Sequence, residues 1–103
     1  METQGNQRVT EEILDGGWTN YETWNVKLWI DNEEGAYFFW KEITQSIVDH
    51  DDQSDWEEKL AQQLKSEHEV PESVKGTYSD LLGAALQRVN WEEIARVMLE
   101  ENE

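Results

Sequence analysis

Apolar residues along the chain recur at helical spacing. Tyr21, Trp24 and Leu28 form one stripe, and Val26, Trp29 and Ile30 form a second, leaving a thin polar face around Lys27 and Asp31. A helix apolar on most sides belongs in the middle of a bundle, so this first helix is predicted to be central. Thr19-Asn20-Tyr21-Glu22 matches a capping box: Thr19 can accept from the Glu22 backbone N–H while Glu22 reaches back. Ala36, Trp40, Ile43 and Ile47 mark the inner face of a second helix, with Tyr37 and Phe39 flanking it. Asp31 or Asn32 can cap that helix, and Gly35 favours a break over a continuous rod.

Ser54-Asp55-Trp56-Glu57 reads as another capping box, followed by the stripe Trp56, Leu60 and Leu64. Val70-Pro71 closes that segment, because the residue before a proline avoids helical geometry. Thr77 resembles the next cap, with Tyr78, Leu81, Leu82, Ala85 and Val89 as its stripe; Gly83 within it would allow close helix approach. Asn90 caps a last helix carrying Trp91, Ile94 and Met98 on one side. No stretch alternates with period two. The prediction is an all-α fold, a compact bundle of about five short helices with an aromatic-rich core. Residues 1–17 are expected to be a flexible N-terminal segment and residues 18–103 a single helical domain.

Composition changes the picture of the surface. Twenty-four Asp and Glu against eight Lys and Arg give a formal charge of −16 over 103 residues. Such a charge commonly accompanies disorder, but the six Trp, three Tyr and two Phe can supply a core under an acidic coat. Phosphate backbones and anionic membranes are disfavoured as direct partners, because affinity for both comes from Lys and Arg. With no cysteine there is no thiolate nucleophile, disulfide framework or zinc–thiolate site. No apolar run approaches a membrane span, and the first fifteen residues lack the pattern of a signal peptide, so a cytoplasmic location is expected.

Candidate chemistry is sparse. Aligned from Asp49, the acidic run places Asp51, Gln53, Asp55 and Glu57 at alternate positions of a calcium loop, but Ser54 replaces its glycine and Leu60 its bidentate acid. A solvated acidic linker fits better. His50 and His68 belong to no HExxH or Glu-x-x-His pattern and read as surface histidines. GxSxG and phosphate-loop motifs are missing, so no catalytic, cofactor-binding or metal-binding residues are assigned and an enzyme is not expected.

The stretch from Trp18 through Thr19-Asn20-Tyr21-Glu22-Thr23-Trp24-Asn25-Val26, then Leu28 to Glu34, resembles the opening signature of a family of small, uncharacterised prokaryotic and phage proteins. Tyr78 to Leu86, followed by Val89-Asn90-Trp91-Glu92-Glu93-Ile94-Ala95, is similar to its closing signature. The resemblance implies a phage or mobile-element context and carries over no catalytic residue. Asn20, Thr23, Asn25 and Asn32 within it read either as capping and buried polar groups or as a recognition patch beside Tyr21 or Trp18.

The functional expectation is a non-enzymatic, acidic protein-binding module. It would inhibit a host nucleic-acid-handling defence protein by nucleic-acid mimicry, its carboxylates engaging the partner's Lys and Arg. The candidate partner-binding residues are Asp49, Asp51, Asp52, Asp55, Glu57, Glu58, Glu92, Glu93, Glu100 and Glu101, with the terminal Glu103 beside them. The partner is a basic protein; direct nucleic acid, membranes and cofactors are not expected. Two alternatives stand beside it: an acidic structural or adaptor domain, homodimeric through an aromatic patch, and a chain whose acidity serves only solubility or a saline habitat.

Overall fold

The pattern of caps and stripes becomes five α-helices. The computed structural model describes residues 16–102. The helices are α1 (Tyr21–Asn32), α2 (Glu34–His50), α3 (Trp56–Glu67), α4 (Gly76–Arg88) and α5 (Trp91–Glu101), with a single 3₁₀ turn at Gln53–Asp55 before α3. No strand occurs among the described residues. The fold is all-α, as the apolar periodicity predicts. The expectations for residues 1–15 lie outside the described residues; Gly16 and Gly17, with φ of 59° and 89°, turn the chain into the body by a left-handed route that glycine adopts without strain.

The centre of the molecule is the pair α3 and α5, which make the most extensive interhelical contact. Trp91 at the start of α5 meets His68 just beyond α3, with ring centroids 5.4 Å apart, while Arg96 reaches Glu57 at the start of α3. The two helices therefore run antiparallel. Leu60, Leu64 and Ile94 are completely buried between them, joined by Ala61, Ala95 and Met98. Burying each of the large side chains contributes about 1.5–3 kcal/mol. From α2, Trp40 closes the core, with Ala36, Ile43 and Ile47 packed against it as their spacing predicts.

The buried apolar set is mainly aliphatic, with Trp40 and Trp91 its two aromatic members, so the expected aromatic-rich core is not found. Trp18 packs against the core from the chain entry, and Trp24 and Trp56 are half-buried. Trp29 stands 63% exposed.

Helix α1 departs most from its pattern. Its buried residues are Thr23, Lys27 and Ile30, whereas Tyr21, Leu28 and Trp29 are exposed. The inward face is thus Thr23, Lys27 and Ile30 with Val26 beside them, and α1 packs against α2, α4 and α5. Two local features explain the inversion. The Lys27 stem lies buried while its ammonium meets Asp31 at 2.7 Å and Glu101 at 3.1 Å, tying α1 to the end of α5. The Thr23 hydroxyl donates to Asn20 Oδ1 at 2.7 Å and accepts the Asn90 backbone N–H at 2.9 Å, tying the start of α1 to the start of α5.

The helix starts are partly as predicted. Asn20, not Thr19, caps α1 by accepting the Thr23 N–H at 2.9 Å. Glu22 pairs with Arg88 instead of completing a capping box. Glu33, in place of Asp31 or Asn32, is both the end of α1 and the cap of α2: its carboxylate accepts the Ala36 N–H at 3.0 Å. The break therefore falls two residues before Gly35. At α3 no side chain caps; the 3₁₀ turn delivers the chain, and Trp56 Nε1 donates to the Asp51 carbonyl at 2.9 Å. Helix α4 begins after Lys75, two residues before the predicted Thr77. Asn90 caps α5 as predicted, accepting the Glu93 N–H at 3.0 Å.

Candidate partner-binding surfaces

The ten candidate carboxylates fall in three places. Asp49, Asp51, Asp52, Asp55, Glu57 and Glu58 follow the turn from α2 into α3; Glu92 and Glu93 open α5; Glu100 and Glu101 close it. Asp49, Asp52, Asp55, Glu58, Glu92, Glu100 and Glu101 are exposed, and the other three are half-buried. Several are engaged within the chain. Asp51 pairs with Lys59 at 3.2 Å, Glu57 with Arg96 at 3.8 Å, and Glu101 with Lys27. Glu93 accepts the Thr19 backbone N–H at 3.2 Å, fastening the chain entry to α5. These contacts give Glu93 and Glu101 architectural roles and leave Asp49, Asp52, Asp55, Glu58, Glu92 and Glu100 as the more available anions.

The antiparallel α3–α5 pair does one thing the sequence does not announce: it brings Glu58 and Glu92 to the same groove. This cleft of about 560 Å³ opens between α3, α4 and the start of α5. Its apolar lining includes Ala61, Val70, Leu86, Val89 and Trp91, and the acids on it are Glu58, Glu69 and Glu92, with Lys65 among them. Glu69 was not among the sequence candidates; it follows α3 in a loop, where nothing in the local pattern marks it. Helix α4 buries no residue fully, and its Tyr78 and Leu81 stand 75% and 62% exposed. Gly83 does not serve close packing, since a Cβ there would meet only Val70 at 3.9 Å, an ordinary contact.

His68 lines this groove and is not a simple surface residue. It lies half-buried between Trp40, at 5.9 Å and nearly parallel, and Trp91. Nδ1 lies 2.7 Å from the Leu64 carbonyl and must carry a proton to donate to it, which fixes the ring as a staple across α2, α3 and α5. His50 is exposed, with Nδ1 2.8 Å from the Ser46 carbonyl. Among the described residues no group of three or more His, Asp or Glu is arranged to hold a metal ion.

The most conspicuous surface feature includes three residues, Tyr21, Leu28 and Trp29, that the periodicity placed on apolar stripes. Six large apolar side chains of α1 and α2 are exposed: Tyr21, Leu28, Trp29, Tyr37, Phe38 and Phe39. Tyr37 and Phe38 lie together on α2, with ring centroids 5.3 Å apart, and exposed apolar residues become informative when they gather in this way. The polar motif residues have structural roles: Asn20 caps α1, Thr23 bridges Asn20 and Asn90, and Asn32 Nδ2 donates to the Leu28 carbonyl at 2.8 Å.

Taken together, these features define a small protein, all-helical in its described residues, with acids along a partly apolar groove and exposed aromatic side chains on α1 and α2. Over residues 15–103 the chain matches a family of unknown function (DUF7249), and it belongs to that family. No curated protein and no solved structure matches it. No helix among the described residues is long and apolar enough to cross a membrane.

Proposed function

We propose that the chain is a non-enzymatic protein-binding module that docks on a basic, nucleic-acid-handling protein in the cytoplasm and covers the surface where phosphates would lie. The observation that carries this reading is the groove lined by Glu58, Glu69 and Glu92, with Lys65 among them, beside the apolar Ala61, Val70, Leu86, Val89 and Trp91. Apolar contact at the centre with charge around it is how protein interfaces combine affinity with orientation. The acidic run from Asp49 to Glu58 leads from the end of α2 into α3, whose Glu58 lines the groove. A charge of −16 steers a cationic partner from a distance and repels nucleic acid itself. An inhibitor of a host defence protein, acting by nucleic-acid mimicry, accords with the phage-like motifs at Trp18–Val26 and Tyr78–Leu86.

Affinity capture on the immobilised chain, from host extract and with the captured proteins identified, tests the proposal. The expected result is basic nucleic-acid-binding proteins that are released by molar salt or by added duplex DNA. Their recovery should fall on a Glu58→Gln, Glu92→Gln variant. Capture that persists unchanged in molar salt and excess DNA contradicts it.

A further inference from the structure

We infer that the outward face of α2, centred on Phe38, is a second docking surface whose occupant is an arginine-bearing helix of a basic protein. The inner side of α2 is set by Trp40 and Thr44, which are buried, and by Ala36, Ile43 and Ile47. At 100° per residue, Phe38 then points directly away from the core, with Tyr37 and Phe39 on its two shoulders. Their exposures of 55%, 41% and 44% agree with that placement. Glu34 and Glu42 lie one turn before and one turn after Phe38 on the same face, and both are exposed. Side chains four apart on a helix are neighbours, so the ring is bracketed by two carboxylates.

That arrangement selects among occupants. Exposed rings can stack nucleobases, but single-strand binders set those rings in a positively charged groove. Here Glu34 and Glu42 bracket the ring, and Lys41 is nearby. A second copy of the chain would bring its own Glu34 and Glu42 and a further −16 of charge onto the same surface. A guanidinium meets both demands at once: its plane stacks on an aromatic ring while its N–H fork reaches a carboxylate one turn away. The chain already displays half of this chemistry internally, with Lys41 Nζ 5.8 Å from the centroid of the Tyr37 ring.

This surface is separate from the α3–α4 groove and stands or falls without it. The probe is a synthetic amphipathic helix carrying Arg and Leu on one side, titrated into isotope-labelled chain and followed by amide chemical shifts. The largest changes should fall on residues 34–42, and Phe38→Ala should weaken binding about tenfold or more. Replacing each Arg of the peptide by Lys should weaken it about threefold or more. The Glu58→Gln, Glu92→Gln variant should bind the peptide as the parent does. Shifts confined to the groove and lost in that variant would overturn this inference while supporting the first site. Binding of oligouridine to residues 34–42, or a dimer that Phe38→Ala dissociates, would overturn it in favour of a nucleic-acid or self-association surface. Absence of any shift on that face would also overturn it, and circular dichroism of Phe38→Ala verifies that the helices persist.

Discussion

Helices α3 and α5 on one side, and α1 and α2 on the other, use similar residues to opposite ends. In the α3–α5 pair, Leu60, Leu64 and Ile94 have no exposure at all, and Trp91 and Met98 have little. In α1 and α2, Trp29, Tyr37, Phe38 and Phe39 face outward while Lys27 and Thr23 are buried. The difference teaches that apolar character alone does not locate the core of this protein. Where buried polar groups find partners, as Lys27 does with Asp31 and Glu101, the inward face is released from being apolar. On α1 this leaves Trp29 outside, whereas on α2 the inner face is filled by Trp40, Ala36, Ile43 and Ile47, and Tyr37, Phe38 and Phe39 are surplus to it.

The contrast can be broken from either side. Leu64→Ala should lower stability by about 2–5 kcal/mol, measured by urea unfolding, because it opens a cavity where the neighbouring helices cannot collapse. Thr23→Val keeps the shape but leaves the Asn90 N–H and Asn20 Oδ1 without their shared partner; calorimetric unfolding should register a loss of about 1–3 kcal/mol. Asn90→Ala removes the α5 cap, and its effect, about 1 kcal/mol, should appear as a lowered melting temperature. Lys27→Met should change stability by less than about 1 kcal/mol. The buried stem is kept and the released carboxylates, 43% and 58% exposed, return to water. A loss of several kcal/mol in that variant would mean that the ion pairs, and not the stem, hold α1 in its inverted orientation.

The fold was legible where the apolar stripe of a helix lay on one side, whether or not its cap was the expected residue. The stripes of α2, α3 and α5 were read correctly because Trp40, Leu60, Leu64 and Ile94 face a shared core, and the one buried polar residue among them, Thr44, satisfies its hydroxyl on the Trp40 carbonyl of its own helix. Helix α1 was misread because Tyr21, Trp24 and Leu28 form a good stripe, and because a lysine stem counts as polar in any pattern though its methylenes pack like an aliphatic chain. The α1 cap slipped by one residue since Thr19 and Asn20 are both competent; Asn20 prevails because the Thr23 hydroxyl adds a second bond to the same oxygen. The acidic turn was legible as a run. The meeting of Glu58 with Glu92 was not, for it depends on the antiparallel pairing of α3 and α5, which local sequence does not specify.

The central claim is that the outward rings of α1 and α2 serve contact and not stability. A Trp29→Ala, Phe38→Ala chain, measured by urea unfolding beside the parent, tests it most directly. The account predicts a stability change within about 1 kcal/mol, as for exposed substitutions, together with loss of arginine-peptide binding. A destabilisation of about 3 kcal/mol or more would show that these rings belong to the packed body, and would contradict it.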